Sequence, residues 1–388
     1  MSSIIIKQGQ PEIHPLLADT LAPFIAKWET AALRVAANHV TPKKFSVPTG
    51  ALNDSTEAVL AARFNTLSAA KKTAVGKRAE LALSAPKTRA NLSSTIDIAR
   101  LDNTTSVDHR LIAQAPRKLA PKDLKAVADE FLAQNALPRR SPRPNPFTWG
   151  TLRLDLKRIV CIDETNGFLG TEVGQDEIYL MGTILDDTTN VGSIAPFYVA
   201  DFDDGTRHDF SPPRKLVSFS LNATTTYPKA YFVSLVLVEK DEGNLNATLK
   251  EIVDKLALAA EAWLTAAIVG AIGAPELIAA AVLAAVGAAI TWAVGKILGF
   301  LISVWEDDLF DPVTLSVIVP DSTATFNRPS TVFHFKGPGE YAVRYEWKLS
   351  RPNLPLQPGE AGKVFAAAAP ARPQGGIQAT KDPRMITR

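Results

Sequence analysis

The sequence predicts an α+β fold, with a helical N-terminal region, then an antiparallel β-sandwich that carries an inserted apolar helical hairpin. Three observations carry this expectation. Residues 1–137 are rich in Ala and Lys and show helical periodicity, whereas after Trp149 short β-branched and aromatic runs alternate with turn residues. Between the two lies Pro138 to Pro146, whose four prolines favour an extended, solvated backbone. Within the β part, Leu256 to Trp305 is almost free of charge.

Helices are expected at Leu17 to Ala37, at Thr56 to Leu83 and at Pro121 to Leu137, separated by Thr/Ser/Pro/Asn-rich connections. Such a region forms either a small bundle or a segment that orders on a partner. The linker spans 138–148 and the β domain 149–350. Its strands are expected at Leu152 to Ile162, Glu177 to Leu185, Ala195 to Ala200, Leu216 to Leu221 and Tyr231 to Glu239. Val313 to Val319, Ser330 to Phe335 and Tyr341 to Leu349 follow, giving seven or eight strands. In the last run Tyr341, Val343, Tyr345, Trp347 and Leu349 share one face. The tail 351–388 is rich in Pro, Ala and Gly and too poor in large apolar residues to build a core.

The hairpin, placed at 247–305, has only Glu276 and Lys296 as formal charges between Ala262 and Trp305. Leu277 to Gly295 is a neutral run of 19 residues, at the lower edge of membrane-spanning length. Gly270, Gly273 and Pro275 divide it into two arms, and Glu276 suits a helix N-terminus. Small residues recur every fourth position: Ala262, Ala266, Gly270 and Ala274 on one arm, Ala281, Ala285, Ala289 and Ala293 on the other. Such ridges let the two arms approach each other closely. The remaining surface must be covered by protein or by lipid; Trp263, Ile268, Leu277, Val282, Val286, Ile290 and Trp292 are the candidate membrane-inserting residues. Because alanine neither favours nor opposes the bilayer strongly, insertion is expected to be marginal.

Charge is uneven. Residues 1–150 hold 21 Lys/Arg against 12 Asp/Glu, residues 151–350 hold 15 against 26, and 351–388 hold 6 against 2. An acidic middle favours cations over nucleic acid, and basic residues at the ends are not interleaved with aromatics as a base-stacking surface requires. The single cysteine, Cys161, excludes an intramolecular disulfide and reads as a buried strand residue. His14, His39 and His109 lack ligand-like spacing and read as ordinary surface or core residues. No nucleophile elbow, phosphate-binding loop, dinucleotide fingerprint or zinc-protease motif occurs, so no enzyme is expected. Ile4 to Ile6 is too short for a secretory signal core, so synthesis in the cytoplasm is expected, with action elsewhere depending on another export or delivery machinery or on lysis.

Acidic residues cluster at strand junctions: Asp163 with Glu164, Asp176 with Glu177, Asp186 with Asp187, Asp201 to Asp209 around Gly205, and Glu239 to Glu242. The stretch from Asp163 through Gly167, Gly170 and Gly174 to Asp176 and Tyr179 resembles the first calcium loop of C2 domains. Leu235 to Gly243 is similar to the C2 strand that ends in an acidic pair. That resemblance implies Ca2+ as a cofactor, with Asp163, Asp176, Glu239 and Asp241 as its ligands. The apolar hairpin, flanked by Lys250, Glu251, Asp254 and Lys255 before it and Glu306, Asp307 and Asp308 after it, resembles the hydrophobic hairpin of pore-forming colicins. That resemblance implies a toxin whose soluble form buries the pair and whose active form inserts it.

Three functions remain open at this point. One is a membrane-active effector or toxin that inserts the hairpin into a lipid bilayer, as a single copy or a homo-oligomer. The second is a calcium-dependent binding module whose hairpin is only core. The third is a structural or cargo protein recognised through its ends.

Overall fold

In the computed structural model the described residues are 2–45, 56–84, 118–137, 149–164, 175–223, 226–239, 245–268, 276–305 and 310–350. They combine helices with two antiparallel sheets. The chain opens on strand β1 (Ile5–Gln8), then helices α1 (Pro15–Val40), α2 (Thr56–Phe64), α3 (Ala69–Ser84) and α4 (Pro121–Gln134). Strands β2 (Thr151–Asp163), β3 (Asp176–Leu185), β4 (Val191–Phe202), β5 (Arg207–Ser220) and β6 (Lys229–Glu239) follow. Helices α5 (Leu245–Ile268) and α6 (Glu276–Trp305) come next, then β7 (Val313–Val319), β8 (Ser330–Lys336) and β9 (Glu340–Ser350).

One sheet has the order β1-β7-β6-β3-β4 and the other β5-β2-β9-β8. They share a core of inward-facing residues: Leu154, Ile159 and Val343 from one sheet, Leu180, Val233 and Val317 from the other. The outer face of the five-stranded sheet carries a second core, in which Met181, Phe232, Val236 and Ile318 meet all six helices. The described fold is therefore three layers: helices, then five strands, then four. Strand β6 lies between two apolar environments and is buried at every position. That explains why Tyr231 to Val238 is a continuous apolar run rather than an alternating one.

Several expectations change. Ile4 to Ile6 is not merely a short apolar stretch; Ile5–Gln8 pairs with β7, Ile5 opposite Ile318, so the helical region begins with a strand of the β layer. Eight strands, β2 to β9, fall within the β domain as expected, and β1 makes a ninth among the described residues. The helix expected over Thr56 to Leu83 is two, because the chain turns at Asn65–Ser68, where Arg63 and Thr66 hydrogen-bond each other. Strand β5 starts nine residues before the expected Leu216, at Arg207, since β2 is long enough to pair with its whole length. His14 is not an ordinary residue: its Nδ1 accepts the Leu16 amide at 3.1 Å as the N-cap of α1, and its Nε2 meets Glu130 Oε2 on α4 at 3.2 Å.

The hairpin enters where β6 ends and leaves where β7 begins, and these strands are neighbours, Leu235 opposite Val313. Its two ends therefore sit side by side on the sheet, as its position in the chain predicts.

Candidate functional site

Helix α6 is 30 residues long, about 45 Å at 1.5 Å per residue, which exceeds the ~30 Å of bilayer hydrocarbon. An 18-residue stretch within Leu277–Trp305 reaches a mean hydropathy of 2.3. Most of it is buried, and its neighbours are α1, α4, α5 and β6, with a smaller contact to α3. The N-terminal helices and the five-stranded sheet thus jointly cover the helix that composition marks as apolar on every side.

The ridge of small residues works differently from the sequence expectation. Ala285 lines a narrow seam with Val127, Phe131 and Gln134 of α4, so at that level the ridge admits α4 rather than the other arm of the hairpin. A second small stripe, Gly287, Thr291 and Gly295, accommodates side chains from the β layer. A Cβ at Gly287 would stand 2.8 Å from the Phe232 ring, and one at Gly295 would overlap the Gln10 amide. Thr291 is buried and satisfies its hydroxyl on the Gly287 carbonyl at 2.8 Å.

Of the candidate membrane-inserting residues, Trp263, Val282, Val286 and Ile290 are buried, while Leu277 and Trp292 are half-buried against the same core. Ile268 ends α5, and its side chain lies outside the described set. Trp263 donates its indole N–H to the Thr20 carbonyl of α1 at 2.7 Å and packs 6.0 Å from the Phe24 ring. Lys27 sits over the Trp263 ring, 5.1 Å from its centroid. Two aliphatic positions on these helices do face solvent: Leu258 on α5, 52% exposed, and Leu283 on α6, 39% exposed.

Charge at the covering interface is sparse. Glu29 of α1 is buried, and its Oε2 has no hydrogen-bond partner. Burial pushes its carboxyl up to about 7, against the smaller opposing pull of Lys296 on α6. Lys296 is exposed, with its Nζ 5.9 Å from the Trp292 centroid. The Glu29 and His14 contributions were missed by sequence reasoning. Glu29 had a faint signal, as an acid at a position whose helical neighbours Ile25, Trp28, Ala32 and Leu33 are all apolar.

The acidic junctions are also resolved into partners. Asp176 is buried and accepts the Tyr341 hydroxyl at 2.6 Å; burial first, and that hydrogen bond second, push the hydroxyl's pKa up. Asp186 accepts from the amides of Thr188 and Asn190 and closes the β3–β4 turn. Asp187 pairs with the fully buried Lys229 at 2.7 Å. Asp204 accepts the Glu164 amide and Asp203 accepts from Gln175. Asp163 is exposed at the end of β2, and Glu239 is buried at the end of β6. Asp241 lies outside the described residues. Burial, and after it the field of Asp176, Asp204, Asp203 and Asp163, raises the Glu164 carboxyl, so these acids do gather at one end of the sheets. Even so, among the described residues no three of His, Cys, Asp and Glu converge as a metal-holding group. Cys161 is fully buried beside this end, and burial pushes its thiol up to about 11, away from thiolate chemistry.

No family model, curated protein or solved structure significantly matches the chain.

Proposed function

We propose that the protein is a membrane-active effector of the pore-forming type, whose soluble form stores α5 and α6 against the sheet and whose active form inserts them as a hairpin into a target bilayer. The observation that carries this reading is α6 itself: a 30-residue, nearly uncharged helix sheathed by helices that belong to a different part of the chain. In this reading the β layers form a sandwich that anchors the hairpin, and α1 and α4 are its removable cover. Release exchanges contacts with protein for contacts with lipid tails, which are equally apolar, so the free-energy difference between the two states is small.

The test is a lock across the cover. Val127→Cys and Ala285→Cys place two thiols in the same α4–α6 seam. The native Cys161 is buried elsewhere and does not compete. Dye release from anionic vesicles is expected to be absent in the oxidised double variant and to return with reductant. Equal leakage from locked and reduced protein overturns the reading.

A further inference from the structure

The helical layer lies on the five-stranded sheet, chiefly through α5 and α6, which leaves the outer face of the four-stranded sheet bare among the described residues. The register lays that face out in rows. Arg153 on β2 stands opposite Lys348 on β9. Farther along, Arg158 on β2 lies between Asp209 on β5 and Arg344 on β9, with Val332 of β8 next in line. Beyond them come Arg207, Val160, Ala342 and His334.

The segment that builds this face is acidic in total, yet the face presents an excess of cations: Asp155 and Glu346 are recessed beneath lysine and arginine heads, and the exposed Asp209 is paired with both Arg158 and Arg207. The Asp155 side chain is 1% exposed and lies under Arg153 and Lys348, at 2.7 and 2.9 Å. Glu346 is held by Lys157 at 2.8 Å and Lys348 at 3.4 Å. The lysine and arginine heads stand above these carboxylates, 32 to 39% exposed. Arg344 is exposed and has no ion-pair partner among the described residues. Two exposed aliphatic side chains share the face, Ile162 at the end of β2 and Val332 on β8.

We propose that this face docks the protein on an anionic lipid bilayer. The proposal rests on the membrane-active reading above and names the surface by which the soluble form first meets its target. Buried acids fix the cationic heads outward, and the exposed isoleucine and valine reach the headgroup boundary. Nucleic acid fits less well. Four strands span roughly 14 Å between outer strand axes, which is broad for a major groove of about 12 Å. Single strands call for exposed aromatics, and the exposed tyrosine of the described residues, Tyr198, is on β4 of the other sheet.

The experiment is co-sedimentation of the full chain with vesicles of equal parts phosphatidylglycerol and phosphatidylcholine, with dye release read separately. Lys157→Gln, Arg207→Gln and Arg344→Gln together remove three charges without exposing Asp155, which keeps Arg153 and Lys348. Each charge is worth about fivefold in partitioning near an anionic surface, so the triple variant should bind roughly a hundredfold more weakly. Lys77→Gln, Lys118→Gln and Lys122→Gln make the same change in net charge on the helical layer and should leave binding unchanged. Wild-type binding should also weaken as salt rises. Equal loss in both triple variants, no wild-type binding to the anionic vesicles, or tighter binding to a DNA oligonucleotide that the sheet variant abolishes would each overturn the proposal. Vesicle binding that follows the sheet variant but is never accompanied by leakage keeps this docking face and overturns insertion instead.

Discussion

Glu29→Gln removes a buried carboxyl of α1, on the cover of α6. In the wild type burial pushes the carboxyl up to about 7 when folded, against its ordinary 4.5 when unfolded. Below pH 4.5 both states carry the proton and the residue contributes nothing to pH dependence. Between 4.5 and 7 the folded state keeps a proton that the unfolded chain has released, so stability falls as pH rises. Above 7 both are ionised and the full cost of a buried carboxylate is present. At about 1.4 kcal/mol per pH unit between the two values, that cost is about 3 kcal/mol. The glutamine variant removes it. Urea unfolding should therefore find Glu29→Gln more stable than wild type by about 2 to 3 kcal/mol at pH 8 and by little at pH 4.5. Lys296→Met, which takes away the opposing charge, should extend the wild-type dependence to higher pH. The same arithmetic says that acid tightens the α1–α6 seam rather than opening it, so dye release should be slower at pH 5 than at pH 8 as far as Glu29 controls it. Identical stability profiles for wild type and Glu29→Gln from pH 5 to pH 8 would refute the reasoning.

Other outcomes follow from the same structure. Leu283→Asp puts a charge on an exposed position of α6, so the soluble fold should melt within a degree or two of wild type. Dye release should fall by tenfold or more, because a carboxylate near a bilayer centre costs about 2.5 to 3.5 kcal/mol. Asp187→Asn leaves the Lys229 ammonium buried without its counter-charge and should cost about 3 to 5 kcal/mol in denaturant unfolding. Gly287→Ala forces a methyl toward the Phe232 ring and should destabilise by about 1 to 3 kcal/mol despite its better helix propensity. Gly295→Ala meets only the flexible Gln10 amide and should be near neutral, both variants being compared with wild type by denaturant unfolding.

Much of the fold was legible because the periodicities are strong. Val313 to Val319 forms a strand with the expected ends, and the β6–α5 and α6–β7 junctions fall where the hydropathy changes. What was not legible depended on distant partners. Ile5 to Gln8 is four residues, too short to signal a strand until β7 supplies the pairing edge. The Ala281–Ala293 ridge is visible in sequence, but a ridge of small residues states only that something approaches, not that α4 does. The acidic junctions were visible as well, yet whether a carboxylate waits for a cation or accepts a tyrosine hydroxyl, as Asp176 does, depends on a residue 165 positions away. The cationic sheet face was hidden by net charge, since the chain segment that builds it is acidic and only the pleat sorts the signs.

The pairing of β1 with β7 and the seating of α1 on α6 also set an order of events during synthesis. Some 235 residues separate the end of α1 from the start of α6. At roughly 5 to 20 residues per second, the N-terminal helices leave the ribosome on the order of 10 to 50 seconds before their greasy partner exists. Throughout that interval Phe24 has no Trp263 to pack on and α1 has no α6 to lie against, and α6 itself emerges before β7 can bind the first strand. A chaperone that holds short apolar segments, or a delivery system that takes the chain before it closes, would find its substrate in that window.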